Sequence, residues 1–346
     1  MVKQHRLVPF LLLACVSFSS CQSYLEDVRI ALGTVCSIKI WETKDKKLLE
    51  GCFDILNNIE NQMSVNIEGS DLSKLRESAG KNPVVLAEDT IFLIEKAKEY
   101  YSFSGGLFDI SIGPLVSLWA IGSGGISVPD LKKIDEAKSL SGIDEVQIDK
   151  QTNEVYLERS GMAIDLGAIG KGYASDRVAA YLRDNGIKKA IINFGGNSCV
   201  IGRKSADRKW AIGIQDPYSD RGNSIGRVFI EDKVVITSGP YERFFIQDGA
   251  RYHHILNPFT GFPVENNLQA VAVIADNGTD GDALSTSLFS LGLAKGLEKA
   301  EALENAEAIF ITSEREVYLT SGVMENFELF DNNYKLANNS SIISMQ

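Results

Sequence analysis

The sequence predicts a mixed α/β fold of the α+β kind, one compact unit whose two lobes flank a central cleft. Three observations predict it. Stretches with apolar residues at helical spacing interleave irregularly with short alternating stretches. Tight turns join the alternating stretches more often than helical crossovers do. No linker-like segment divides the 346 residues. The hairpins argue against a doubly wound dinucleotide fold. Apolar residues make up 44% and charged residues 23% of the chain, a globular balance that excludes a largely disordered or fibrous protein.

Each element has its own signal. Val28 to Trp41 alternates like a strand. From Lys46 to Met63, the residues Leu48, Leu49, Cys52, Ile55, Leu56, Ile59 and Met63 fall on one helical face. Ser70 is suited to cap a short helix through Ala79, and Glu88 to Tyr101 reads as another. Pro129 suits the first turn of a further helix. Val146 to Ile148 and Glu154 to Leu157 flank a Thr152-Asn153 turn and predict a hairpin. Ala168 to Arg183 predicts a helix ended by Asn185-Gly186, and Ala190 to Asn193 a buried strand. Strands are expected around Trp210 to Gln215, Arg227 to Ile230, Val234 to Thr237, Arg243 to Gln247, Tyr252 to Leu256 and Gln269 to Ile274. Helices over Asp280 to Leu291 and Gly296 to Leu303 follow, then a hairpin of Ala308 to Thr312 with Glu316 to Thr320. A polar tail over 331–346, with Asn332, Asn333 and Asn338 to Ser341, is expected to fray.

Residues 1–21 predict an export signal: a basic start (Lys3, His5, Arg6), an apolar run from Leu7 to Phe18, and Ser19-Ser20-Cys21. The run is shorter than the roughly 20 apolar residues a spanning helix needs. An ordinary cleaved signal is one reading. The other is a lipobox with Cys21 acylated, for which Cys15 after Leu-Leu-Ala competes; Cys21 is preferred because it leaves the fuller apolar run. The expectation is a lipoprotein on the periplasmic side of the cytoplasmic membrane, with one domain over 22–330. Cys36, Cys52 and Cys199 remain, an odd set without zinc-type spacing. Cys36 and Cys52 lie on apolar stripes and are expected as core thiols.

With 35 Lys+Arg against 46 Asp+Glu the formal charge is -11, spread along the chain. No stretch concentrates the cations that a nucleic-acid partner requires, so none is expected. An anionic substrate therefore needs a metal ion or directed backbone dipoles.

Chemistry can reside in three places. His253 and His254 are the imidazoles left after the leader, adjacent on a strand, so at most one faces a site. A surface histidine and a general base near neutral pH are both open. Asp282 and Thr286, four apart near a helix start, offer oxygens to a hard cation such as Mg²⁺, although acids are favoured at helix starts anyway. In Asp165-Leu166-Gly167-Ala168-Ile169-Gly170-Lys171-Gly172, glycines and a lysine stand where strand becomes helix. This suits backbone close to a phosphate, or simply close packing; it is neither a P-loop nor G-x-G-x-x-G. Ser104 to Asp109 and Asn193 to Asn197 are glycine loops that read equally as ligand loops or plain turns.

In combination and order, further segments add weight. They are Leu32-Gly33-Thr34, Met63-Ser64, Gly106-Leu107-Phe108-Asp109 with Gly113-Pro114-Leu115-Val116, and Asp165-Leu166-Gly167 with Lys171-Gly172. Asn193 to Asn197, Thr237-Ser238-Gly239 with Glu242-Arg243, His254 to Pro258 with Thr260-Gly261, and Asp282 to Thr286 complete the series. Together they resemble the FAD:protein FMN transferase (ApbE) family over about residues 30 to 320.

The resemblance implies a Mg²⁺-dependent, exported lipoprotein with FAD in its cleft. It implies transfer of FMN from FAD to a threonine or serine of an exported flavoprotein, releasing AMP. Asp282, Thr286 and the Ala168 carbonyl would hold the metal, with Ser285 nearby. Leu107, Phe108, Asp109, Asp165, Lys171 and Ile255 would line the FAD site, Leu32 would touch the flavin end, and His254 would deprotonate the acceptor. Asn66 departs from the family, which often carries an aromatic residue there. A lost stacking face loosens the pocket and admits water, so FAD hydrolysis to FMN and AMP is expected beside transfer. A flavin-binding lipoprotein without chemistry is the third reading.

Overall fold

The computed structural model describes residues 24–339. Residues 1–23, on which the expected export signal with Cys15 and Cys21 falls, and residues 340–346 lie outside the described residues. The hairpin Tyr24–Ala31 (β1) and Thr34–Trp41 (β2) leads into helices Lys47–Met63 (α1) and Asp71–Ser78 (α2) and the short strand Val84–Val85 (β3). Helices Glu88–Ser104 (α3), Gly113–Trp119 (α4) and Leu131–Ser139 (α5) follow. Strands Val146–Asp149 (β4) and Glu154–Leu157 (β5) precede the helix Gly170–Asp184 (α6). Next are Ala190–Phe194 (β6), Asn197–Ile201 (β7), Trp210–Gln215 (β8), Ser224–Ile230 (β9) and Val234–Ser238 (β10). Phe244–Gln247 (β11), Ala250–His253 (β12) and Leu268–Ala275 (β13) lead to helices Gly278–Leu291 (α7) and Leu293–Glu301 (α8). Ala306–Thr312 (β14), Glu316–Leu319 (β15), Phe327–Leu329 (β16) and Lys335–Leu336 (β17) close the chain.

The main sheet has the order β1-β2-β6-β7-β10-β13-β14-β15-β17. Its strands pair antiparallel except β17, which pairs parallel with β15. Alternation along its central strands builds two cores at once. On β13, Val271, Val273 and Ala275 face the helical layer of α1, α6, α7 and α8, while Ala270, Ala272 and Ile274 face the small sheet β16-β9-β8. That double burial explains why β13 is apolar throughout. A third cluster joins α4, α5 and the β11–β12 hairpin around Trp119, which stacks on Phe245 and Tyr252 and donates Nε1–H to the Gly261 carbonyl at 2.8 Å. This is the smaller lobe, and the mixed α/β, two-lobed expectation holds.

Several boundaries differ from the sequence reading. The stretch from Val28 to Trp41 is a hairpin turning at Leu32 and Gly33, both at positive φ (53° and 66°). The apolar alternation runs through this turn, and leucine gives no turn signal. Helix α4 was not expected; seven residues opened by Pro114 are too few to show a period. Asp130, not Pro129, begins α5: its side chain accepts from Lys132 N–H at 2.9 Å, which places the proline before the cap. Asn197 opens strand β7, so the Asn193 to Asn197 segment is a hairpin turn over Gly195-Gly196. Nor does the domain stop at residue 330. Tyr334 is buried with its hydroxyl donating to Asp216, and β17 extends the main sheet, so residues 331–339 do not fray. Cys36 and Cys52 are buried thiols, as expected. Among the described residues no helix is long and apolar enough to cross a membrane.

Candidate functional site

Helices α6 and α7 cross at their first turns through two glycines. A Cβ on Gly172 would lie 2.0 Å from the Gly278 carbonyl oxygen and 2.8 Å from the Asp282 Cβ. A Cβ on Gly278 would lie 2.3 Å from the Gly172 oxygen. Backbone cannot yield to such contacts, so Gly172→Ala is expected to cost about 3 kcal/mol. It should appear as a lower urea midpoint with an unchanged m-value; an unchanged midpoint would show that the crossing is not tight. The start of α7 is capped by the Asn277 side chain, accepting from Asp280 N–H at 2.8 Å. Asp176 of α6 also accepts from Gly278 and Thr279 N–H, at 2.5 and 2.8 Å.

This close crossing puts Asp282 where two helix starts and a strand meet. Its carboxylate is 3% exposed. Oδ2 accepts from Gly172 N–H at 2.9 Å; Oδ1 accepts from Asn197 Nδ2 at 3.3 Å and lies 3.6 Å from Lys171 Nζ. Because Gly172 N–H turns to Asp282, it does not close a helical bond onto Ala168, and the Ala168 carbonyl stays outside the α6 ladder. One turn along α7, the Ser285 hydroxyl donates to the Asp282 carbonyl at 2.9 Å and meets Ser238 Oγ at 2.8 Å. Ser238 also reaches the half-buried Thr286 hydroxyl at 3.3 Å. Ser285 is fully buried, and its hydroxyl ties the Asp282 turn of α7 to Ser238.

The residues present fit a hard cation. Asp282 contributes charge, Thr286 a hydroxyl, and Ala168 a carbonyl without a helical partner. That is one carboxylate with neutral oxygens, the pattern of Mg²⁺, which keeps waters and substrate phosphates in its shell. Among the described residues no three His, Cys, Asp or Glu side chains cluster as a metal cage.

Lys171 continues toward Gly167, donating to its carbonyl at 3.3 Å. Asp165 accepts from Gly167 N–H at 2.8 Å, and its own N–H donates to the Ile110 carbonyl at 2.8 Å, joining this loop to the Asp109 segment. Asp109 accepts from the Ser111 N–H and hydroxyl, both at 2.7 Å. Burial raises both carboxyl pKa values above the ordinary range, opposed at Asp165 by Gly167 N–H, Arg243 and Lys171.

The two histidines part ways. His253 is buried on β12; Nε2 faces the Val264 carbonyl at 3.0 Å and Nδ1 accepts from Ile255 N–H at 3.3 Å. Both nitrogens are used, so it is structural. His254, just past the strand, has Nδ1 3.3 Å from the Arg243 carbonyl. A carbonyl only accepts, so Nδ1 carries the proton and Nε2 is left as a bare base. Desolvation first, then the Arg243 charge, push its pKa down to about 3, with Lys171 adding to the effect.

Other expected residues are less involved. Phe108 is buried against Tyr100, ring centroids 6.0 Å apart, and Ile255 is also buried in the main core. Their side chains are packed into the core, so any contact they make with a ligand falls to their backbone. Leu107 is half-buried beside Gly106. Leu32 is half-buried at the β1–β2 turn, its N–H donating to Glu60 at 3.0 Å. Asn66 is exposed and is not brought into contact with the Asp282 group. Asn197, Ser238 and Arg243 lay in segments the sequence singled out, but without roles; nothing in the sequence ties them to residues up to 85 positions away.

The ApbE family model matches residues 32–310. The chain belongs to the ApbE family. It is 38% identical to an FAD:protein FMN transferase of Klebsiella pneumoniae over 307 residues, 89% of this chain and 95% of that relative. It is 32% identical to one of Treponema pallidum, covering 89% and 90% of the two chains. Among solved structures, the ApbE protein of Thermotoga maritima matches with a TM-score of 0.79 at 30% identity, covering 87% of this chain and 98% of its own. The flavin transferase ApbE of Vibrio cholerae matches at 0.78 and 27% identity, covering 88% and 99%. As a member of the family this chain is an enzyme of the transferase class.

Proposed function

We propose that the protein transfers FMN from FAD to a threonine or serine hydroxyl of an exported flavoprotein and releases AMP, with Mg²⁺ bound at Asp282. The observation that carries this reading is the position of Lys171. It lies 3.6 Å from Asp282 and its charge also acts on His254, which supports a shared site for the cation donors and the bare imidazole.

Lys171 sets positive charge against the FAD pyrophosphate. Asp282, Thr286 and the Ala168 carbonyl would hold the metal, which when bound neutralises charge on the departing phosphate. His254 takes the acceptor hydroxyl proton at Nε2. The hydroxyl oxygen bonds to the flavin-side phosphorus as the pyrophosphate P–O bond breaks, and the AMP phosphate leaves with that electron pair. Asn66, short and exposed, offers no ring face over the flavin, so water reaches the same phosphorus and FAD hydrolysis to FMN and AMP accompanies transfer.

Incubation with FAD, Mg²⁺ and an exported flavoprotein tests the proposal. Mass spectrometry should show FMN added to one hydroxyl, and samples without acceptor should still release AMP. FAD binding without AMP in either sample would leave the carrier reading instead. The leader supports a lipid anchor at Cys21 on the periplasmic face; palmitate labelling that survives Cys21→Ser would overturn that site.

A further inference from the structure

Arg243 is solvent-exposed, and among the described residues its guanidinium makes no hydrogen bond or ion pair, although its charge acts on both Asp165 and His254. Its acidic neighbour Glu242 is taken by Arg221. The backbone around it is shaped to admit the side chain. A Cβ on Gly122, at φ +85°, would lie 2.7 Å from the Arg243 Cδ, and one on Gly33 would lie 3.9 Å from Nη2. The side chain therefore runs from the smaller lobe to the β1–β2 turn of the main body. Its own carbonyl accepts from both the N–H and Nδ1 of His254, at 3.2 and 3.3 Å.

We infer that Arg243 binds the flavin-side phosphoryl group of the dinucleotide and presents it to His254. The inference rests on the proposed transfer reaction and adds a phosphate contact to it. An unpaired planar guanidinium matches phosphoryl oxygens through paired N–H bonds. The side of the pyrophosphate follows from the backbone. The residue that carries the guanidinium also fixes the imidazole, and the imidazole serves the hydroxyl that attacks the flavin-side phosphorus. The phosphoryl oxygens nearest His254 are thus those retained by FMN.

Titrations of the full chain with FMN, riboflavin and AMP test this in wild type, Arg243→Gln and Arg243→Lys. Arg243→Gln should weaken FMN binding about 10- to 100-fold, the range of a hydrogen bond to a charged group. Riboflavin, which lacks the phosphate, and AMP should bind unchanged, and Arg243→Lys should recover part of the FMN affinity. Equal losses for FMN and riboflavin, an unchanged FMN affinity, or a loss confined to AMP would each overturn the assignment while leaving the transferase reading intact. A wild-type chain that binds no flavin nucleotide would sink both.

Discussion

Asp282→Asn should lower AMP release from FAD by about 10³-fold, since a bound divalent cation contributes several kcal/mol of transition-state charge stabilisation. The amide keeps the shape of the carboxylate but halves its acceptor oxygens. Its oxygen can still face Gly172 N–H, now 2.9 Å from Oδ2, while the new NH₂ turns toward Asn197 and Lys171. Stability should therefore fall by only about 1 kcal/mol. Activity and folding separate in this variant. Chromatography of AMP measures one and urea unfolding the other, and an AMP rate within tenfold of wild type would remove Asp282 from the chemistry.

His254→Gln should reduce FMN transfer by 10²–10⁴-fold, the span of general base catalysis, with FAD still bound. The pH profile is the sharper readout. In the free enzyme the imidazole stays neutral down to about 3, because it is desolvated and Arg243 repels a second positive charge. The acid limb of kcat/KM should then lie well below the ordinary imidazole value of 6.5. Bound pyrophosphate offsets the Arg243 charge and raises the basicity of Nε2, so the limb in kcat should sit higher than the limb in kcat/KM. A single limb near 6.5 in both profiles would assign the base elsewhere. The same shift acts on stability. Between about 3 and 6.5 the unfolded chain holds a proton that the folded imidazole refuses. Stability therefore rises with pH through that window and levels off above it, and His254→Gln should flatten the slope.

Much of the candidate site was legible because it is local. The four-residue spacing of Asp282 and Thr286 placed both on one helix face. The adjacency of His253 and His254 announced that only one could serve, and the family resemblance, not the spacing, pointed to His254. The physical difference between them lies in carbonyls contributed by Val264 and Arg243, eleven residues away in opposite directions. The glycines at 172 and 278 lie over a hundred residues apart, and only the helix crossing shows that each exists to admit the other's backbone. Leu32 hid a turn because a leucine in left-handed conformation carries no signal in composition. Phe108 and Ile255 sat in motifs beside polar residues, and alternation could not say which face was core.

The sequence by itself determined the elements with a period, the oxygens available to a cation, and the acidity that makes local positive charge necessary. Those properties follow from neighbours along the chain, whose geometry the backbone sets. Only the tertiary structure decided which imidazole keeps a bare nitrogen, which carbonyl escapes its helix, and where Arg243 points. Each depends on a hydrogen-bond partner or a close approach supplied by a distant segment, and burial, unlike periodicity, exists only once those segments meet.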